Sequence, residues 1–227
     1  MWNTLHSPFG VLNQGGRNKK EEERERIMVS TISFIQANMQ HSIAASGVLT
    51  RTVGVKGIDM ARVQKQWYRV NCIRGLDIPR NTHYYARRKE RPTACIIARN
   101  MNACGLPGFS CRELVANLIK HIADGAERRL VVCYAYLPYG SEDPPPPMEL
   151  EEFVRYCKND NICLIVGCDS NAHYTVWGST NCNGRGESLY AFLITTNLDI
   201  LNQGKDPTFC NVSRYELTDI TWDPMDF

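Results

Sequence analysis

A short apolar run, Ile162 to Val166, stops at Gly167 and gives way at once to the polar residues Asp169, Asn171 and His173. Such a run bounded by turn residues predicts a strand buried on both faces, with the polar group at its carboxyl end. Upstream, Ile32, Phe34 and Gln36 alternate with Ser33, Ile35 and Ala37, predicting a strand that ends at Asn38. A helix over 42–53, with Ser42 as a possible cap, and a second strand over 58–67 follow. Residues 91–100 and 129–138 carry strand signals. Between them Leu114, Val115, Leu118, Ile119 and Ile122 recur at helical spacing, and periodicity alone predicts a helix there. Acidic residues after four prolines start a helix whose Leu150, Phe153, Val154 and Cys157 form one apolar stripe. Leu189, Phe192, Leu193 and Thr196 mark a further helix, and 198–202 and 208–211 read as short strands.

The Asp-x-Asn spacing carries the candidate chemistry. On extended backbone, residues two apart point to the same side, so Asp169 and Asn171 can converge on one bound group. A carboxylate there can take a proton from water or ligate a hard cation, and an amide can orient the water. The same residues also make an Asx-rich turn for backbone reasons alone. A second feature is the basic and aromatic stretch 79–91. Arg80, Arg87, Arg88, Lys89 and Arg91 surround His83, Tyr84 and Tyr85, which suits either phosphate neutralisation with base stacking or a solvated loop.

Composition narrows the class. The 227 residues are 43% hydrophobic and 22% charged, as in a globular domain. A net charge of +2 gives no argument for nucleic acid by itself, so any basic surface must come from clustering. The ten cysteines are scattered, without a CxxC or a zinc spacing, and several lie in apolar runs, as reduced thiols do. No signal-peptide pattern or membrane-length apolar run is present, so a nuclear or cytoplasmic protein, neither secreted nor membrane-bound, is expected. Residues 1–30, with the mixed charge run RNKKEEERER, read as a tail outside the domain, which is assigned to 31–227.

GCDSNAHYTVWGS, followed by NGRGESLYAFLITTNLDILNQGKDPTF, resembles the endonuclease domain of non-LTR, jockey-type retrotransposons, within the endonuclease/exonuclease/phosphatase superfamily. The resemblance runs from about Ser33 to about Thr221. It implies a four-layer α/β sandwich, two mixed sheets face to face with helices outside, and a strand rather than a helix over 113–122. It also implies magnesium-dependent nicking of DNA, with no small-molecule cofactor. Asp169 would hold or activate the attacking water and ligate the metal with Asn171. Tyr136 and Asn38 would position the phosphate, and Asp219 would orient a catalytic histidine. Arg185 matches an arginine of the family whose part is either packing or DNA contact, and His173 and the 87–89 cations are further candidates for DNA contact.

Two departures qualify this expectation. The family's second strand ends in Gln-Glu, the glutamate being the principal metal ligand, whereas this chain reads Gln64-Lys65. The chain also ends at Phe227, before the final strand and Ser-Asp-His motif, and without the reverse transcriptase fused in the family. A degenerate or fragmentary endonuclease is therefore expected. The rivals are a non-catalytic nucleic-acid-binding remnant and a small-molecule phosphoesterase of the same superfamily.

Overall fold

A computed structural model describes the backbone of residues 3–7, 32–86, 91–123, 126–202, 207–210 and 215–224. Two mixed sheets dominate it. The first has the order β1 (Asn3–Ser7), β2 (Ile32–Asn38), β3 (Met60–Gln64), β7 (Ala94–Arg99) and β6 (Asn81–Tyr84), with β2 and β3 parallel and the other pairs antiparallel. The second has the order β12 (Leu198–Ile200), β15 (Asp219–Pro224), β11 (Cys163–Asp169), β10 (Ala126–Tyr136), β9 (Leu114–Ala123) and β8 (Ala103–Gly105), where β10 and β11 are the parallel pair. Two-stranded ladders, β4 (Tyr68–Arg69) with β5 (Cys72–Ile73) and β13 (Phe209–Cys210) with β14 (Tyr215–Glu216), lie beside them.

Three apolar clusters show why these elements stack. Phe34, Met60, Ile96, Val132, Tyr134 and Ile165 meet between the sheets. Ile35, Val63 and Ile97, on the opposite pleat of the first sheet, pack against Leu49 and Val53 of α1 (Ile43–Lys56). Val131, Cys133 and Val166 pack against α2 (Met148–Asn159) and α3 (Gly184–Thr195) through Leu150, Phe153, Val154, Cys157, Leu189 and Leu193. Alternate strand residues thus face the other sheet and a helix, which is the expected four-layer sandwich.

Residues 114–123 form a strand, as the resemblance implied. Leu114 and Ala116 face the helices while Val115 and Ile119 face the other sheet, so both pleats are apolar and the run acquires a spurious helical period. Ser42 caps α1 by accepting from Ala45 N at 3.3 Å, and Gly57 ends it in the left-handed region at φ 65°. The helix α2 takes Pro147, the last of the four prolines, as its cap. Asn3–Ser7 pairs with β2 as an edge strand, so this part of the expected tail belongs to a sheet. Gly167, read above as the end of a strand, lies inside β11. Among the described residues, no helix is long and apolar enough to cross a membrane.

Candidate active site

Strand ends from both sheets converge at one edge of the sandwich. In the first sheet Asn38 pairs with Gln64, so β2 and β3 finish side by side. In the second, Tyr136 pairs with Asp169 and Asp169 with Asp219. One row of polar residues therefore faces the other across the gap between the sheets.

Amides from the first sheet hold the carboxylates of the second. Gln64 Nε2 donates to Asp169 Oδ2 at 2.5 Å, and Asn38 Nδ2 donates to the same oxygen at a long 3.5 Å. Gln36, two residues before Asn38 on the same pleat, donates to Asp219 Oδ1 at 2.5 Å and to Cys168 O at 3.1 Å. Asn38 also accepts from Gln40 N at 3.1 Å, so it is at once a turn residue and a site residue. Gln36 and Gln64 were not singled out from sequence. The available signal was a carboxamide in a run otherwise fit for a core, since a buried amide needs partners.

Burial raises the Asp169 carboxyl from 3.8 to about 7, and the neighbouring Asp219 adds to the rise. Lys65, the Asn171 backbone N–H and Gln64 act in the opposite direction. Asp219 is likewise raised by burial, against its bond from Gln36. Behind them Arg62 of β3 is fully enclosed. Its Nη2 donates to Thr221 Oγ1 at 3.0 Å, and its guanidinium carbon lies 5.4 Å from the centre of the Phe34 ring. Burial lowers its pKa to about 10, which leaves it charged at neutral pH beside Asp219.

Lys65 enters the site from the turn after β3. Its backbone is left-handed at φ 47°, its N–H donates to Thr93 O at 2.9 Å, and its carbonyl accepts from His41 N at 2.6 Å. The half-buried side chain places Nζ 4.9 Å from the centre of the Tyr136 ring. The departure read in the sequence thus stands inside the site.

The remaining candidates divide. Asn171 donates from Nδ2 to Leu137 O at 2.9 Å, so its amide is engaged with the backbone. Arg185 donates to the carbonyls of Asn171, Leu137 and Ser170 at 3.2–3.5 Å, which makes it a clamp on the loop after β11. His173 is buried, with Nδ1 3.0 Å from Asn181 Oδ1 and 3.5 Å from Glu216 Oε2, and is not on the open rim. Asp219 touches Gln36, and among the described residues no histidine bonds to it. Arg87, Arg88 and Lys89 lie outside the described residues. Tyr84 donates its hydroxyl to Ala103 O at 2.6 Å, and His83 Nε2 lies 3.0 Å from Leu76 O. These two rings are therefore partly used in holding the edge of the first sheet.

Magnesium, which the resemblance implied, does not fit this donor set. The ion wants several oxygen ligands, whereas Asp169 Oδ2 is taken by two amides and Asp219 Oδ1 by Gln36. The Lys65 ammonium, over Tyr136 and close enough to act on the Asp169 charge, repels a cation there, and the Asn171 amide can offer an ion only its Oδ1, since Nδ2 is bound to Leu137 O. Among the described residues, no three His, Cys, Asp or Glu side chains are grouped to hold a metal.

Residues 130–226 match the model of the endonuclease-reverse transcriptase family. That match covers less than half of the chain. The structure of the endonuclease domain of TRAS1, a telomere-specific non-LTR retrotransposon, is similar at 22% identity, covering 85% of each chain with a TM-score of 0.66. D. rerio TDP2 complexed with single strand DNA product superposes at 11% identity over 86% of this chain and 84% of that one, with a TM-score of 0.52. The Bacteroides thetaiotaomicron mannosyl-6-phosphatase Bt3783 does so at 10% identity, over 82% and 79%, with the same TM-score. The sandwich fold that the resemblance implied is borne out, and over residues 130–226 so is the likeness to the endonuclease-reverse transcriptase family. No curated protein matches the chain.

Proposed function

We propose that this is an endonuclease domain of non-LTR retrotransposon origin, directed at DNA phosphodiesters, in a degenerate form that retains the phosphate-facing scaffold and has lost efficient hydrolysis. The observation that carries this reading is the Lys65 ammonium over Tyr136 and near Asp169. In the proposed site the Tyr136 phenol donates to a phosphoryl oxygen, and the exposed Asn38 amide is placed at the rim to contact the backbone. Asp169, held by Gln64 and raised to about 7, suits a base that takes a proton from water at neutral pH. Asp219 and Gln36 support it from behind.

Among the described residues, no cluster of His, Cys, Asp or Glu is grouped to hold a metal that would take up the charge on the leaving oxygen. Loss of an essential metal-supporting group lowers activity about 10- to 100-fold or more. Supercoiled plasmid incubated with magnesium should therefore be nicked no faster by the wild-type chain than by Asp169→Ala, both being shown folded by circular dichroism. Wild-type nicking that disappears in Asp169→Ala would overturn the degenerate reading and restore an active endonuclease. Turnover of a small phosphomonoester without nicking would replace it with the phosphoesterase reading.

A further inference from the structure

The turn that carries Lys65 is tied on every side. Met39 N donates to Gln64 O at 2.9 Å, His41 N to Lys65 O, and Lys65 N to Thr93 O. Gln66 Nε2 reaches Pro92 O at 2.7 Å, and Arg91 Nη2 donates to Gln66 O at 3.0 Å. Three loops thus form one hydrogen-bonded rim that fixes where the lysine leaves the chain, and its ammonium rests over the Tyr136 ring. A cation placed in advance binds an anion without first being ordered. The two buried carboxylates, Asp169 and Asp219, are met by two cations of the chain itself, Lys65 and Arg62. Arg62 answers Asp219 behind the site, and Lys65, half-buried at the rim, is the cation an incoming phosphodiester meets first.

We infer that Lys65 takes the place of a divalent cation in gripping DNA: its ammonium neutralises the phosphate at the site, Arg91 continues the contact along the rim, and binding is independent of magnesium. The inference rests on the phosphodiester reading above. It goes beyond that reading in assigning the anion-binding group and the ionic requirement. Arg91 supports the placement, because it is one hydrogen bond from Gln66 and its Nη2 lies 2.7 Å from His41 Nδ1, beside the loop that follows Asn38.

Fluorescence anisotropy with a labelled DNA duplex tests this, using the full chain at about 50 mM salt, where ionic contacts are strong. Wild-type affinity should be the same, within about twofold, in EDTA and in magnesium at matched ionic strength. Lys65→Met should weaken binding about tenfold in both buffers, and Lys65→Arg should restore most of it. Lys65→Glu should weaken binding further in EDTA and regain affinity with magnesium. Wild-type binding that requires magnesium, or affinity in EDTA unchanged by Lys65→Met, would overturn the inference while leaving the DNA reading standing. A folded wild-type chain that binds no duplex in either buffer would overturn both.

Discussion

Alanine in place of Gly167 is expected to destabilise the domain by about 3–5 kcal/mol, enough to unfold much of it at 37 °C. Gly167 lies in β11 between Tyr134 of β10 and Thr221 of β15, facing the first sheet. A Cβ there would fall against Arg62 Nη1 and Cζ and 2.7 Å from Nε. The guanidinium has nowhere to retreat, since Arg62 is 1% exposed, lies against Phe34 and donates to Thr221. Displacing it would also leave Asp219 without its buried counter-charge. Urea unfolding measures the effect. Gly108→Ala, where an added Cβ meets nothing within 4 Å, is the control and should change stability by less than about 0.5 kcal/mol. Arg62→Leu should relieve part of the Gly167→Ala cost, giving clear non-additivity in the double-mutant cycle. A cost below about 1 kcal/mol for Gly167→Ala would show that the sheets part easily at this point.

Asp169→Asn is expected to stabilise the protein above pH 7 by about 2–4 kcal/mol while removing any base at the site. Burial raises the folded carboxyl from 3.8 to about 7. Between these values the folded state holds a proton that the unfolded chain has released, so this group's contribution to stability falls as pH rises through the window and is flat above about 7. Asparagine keeps an oxygen to accept from Gln64 and Asn38 and carries no charge to bury. The gain should therefore shrink as pH falls from 8 toward 4, which denaturant titrations at several pH values would show. A gain that does not vary with pH would point to packing rather than to the buried charge. Stability that a site residue opposes is expected where residues are placed for chemistry rather than for the fold.

Much of the fold was legible because its signals are local. Alternation over 32–38, the apolar run from Ile162 and the stripe of Leu150, Phe153, Val154 and Cys157 each arise from one element meeting one neighbour. The strand at 114–123 was the exception. Apolar residues on both pleats produce a helical period, and resemblance rather than periodicity gave the right answer. Gly167 misled for a related reason, since glycine in sequence reads as a turn, whereas here it makes room for an arginine from the other sheet.

The sequence by itself determined most of the elements, that Asp169 and Asn38 end buried strands, and that Lys65 departs from the family's pattern. Tertiary structure alone decided which groups meet. Gln36, Gln64 and Arg62 acquire their partners 105 to 183 residues away, through the facing of two sheets that no local pattern encodes. Loops that follow neighbouring strands of the second sheet took His173 off the rim and spent the Asn171 Nδ2 on Leu137 O. Local periodicity reports which face of an element avoids water, but a hydrogen bond or a raised pKa depends on what is packed opposite that face.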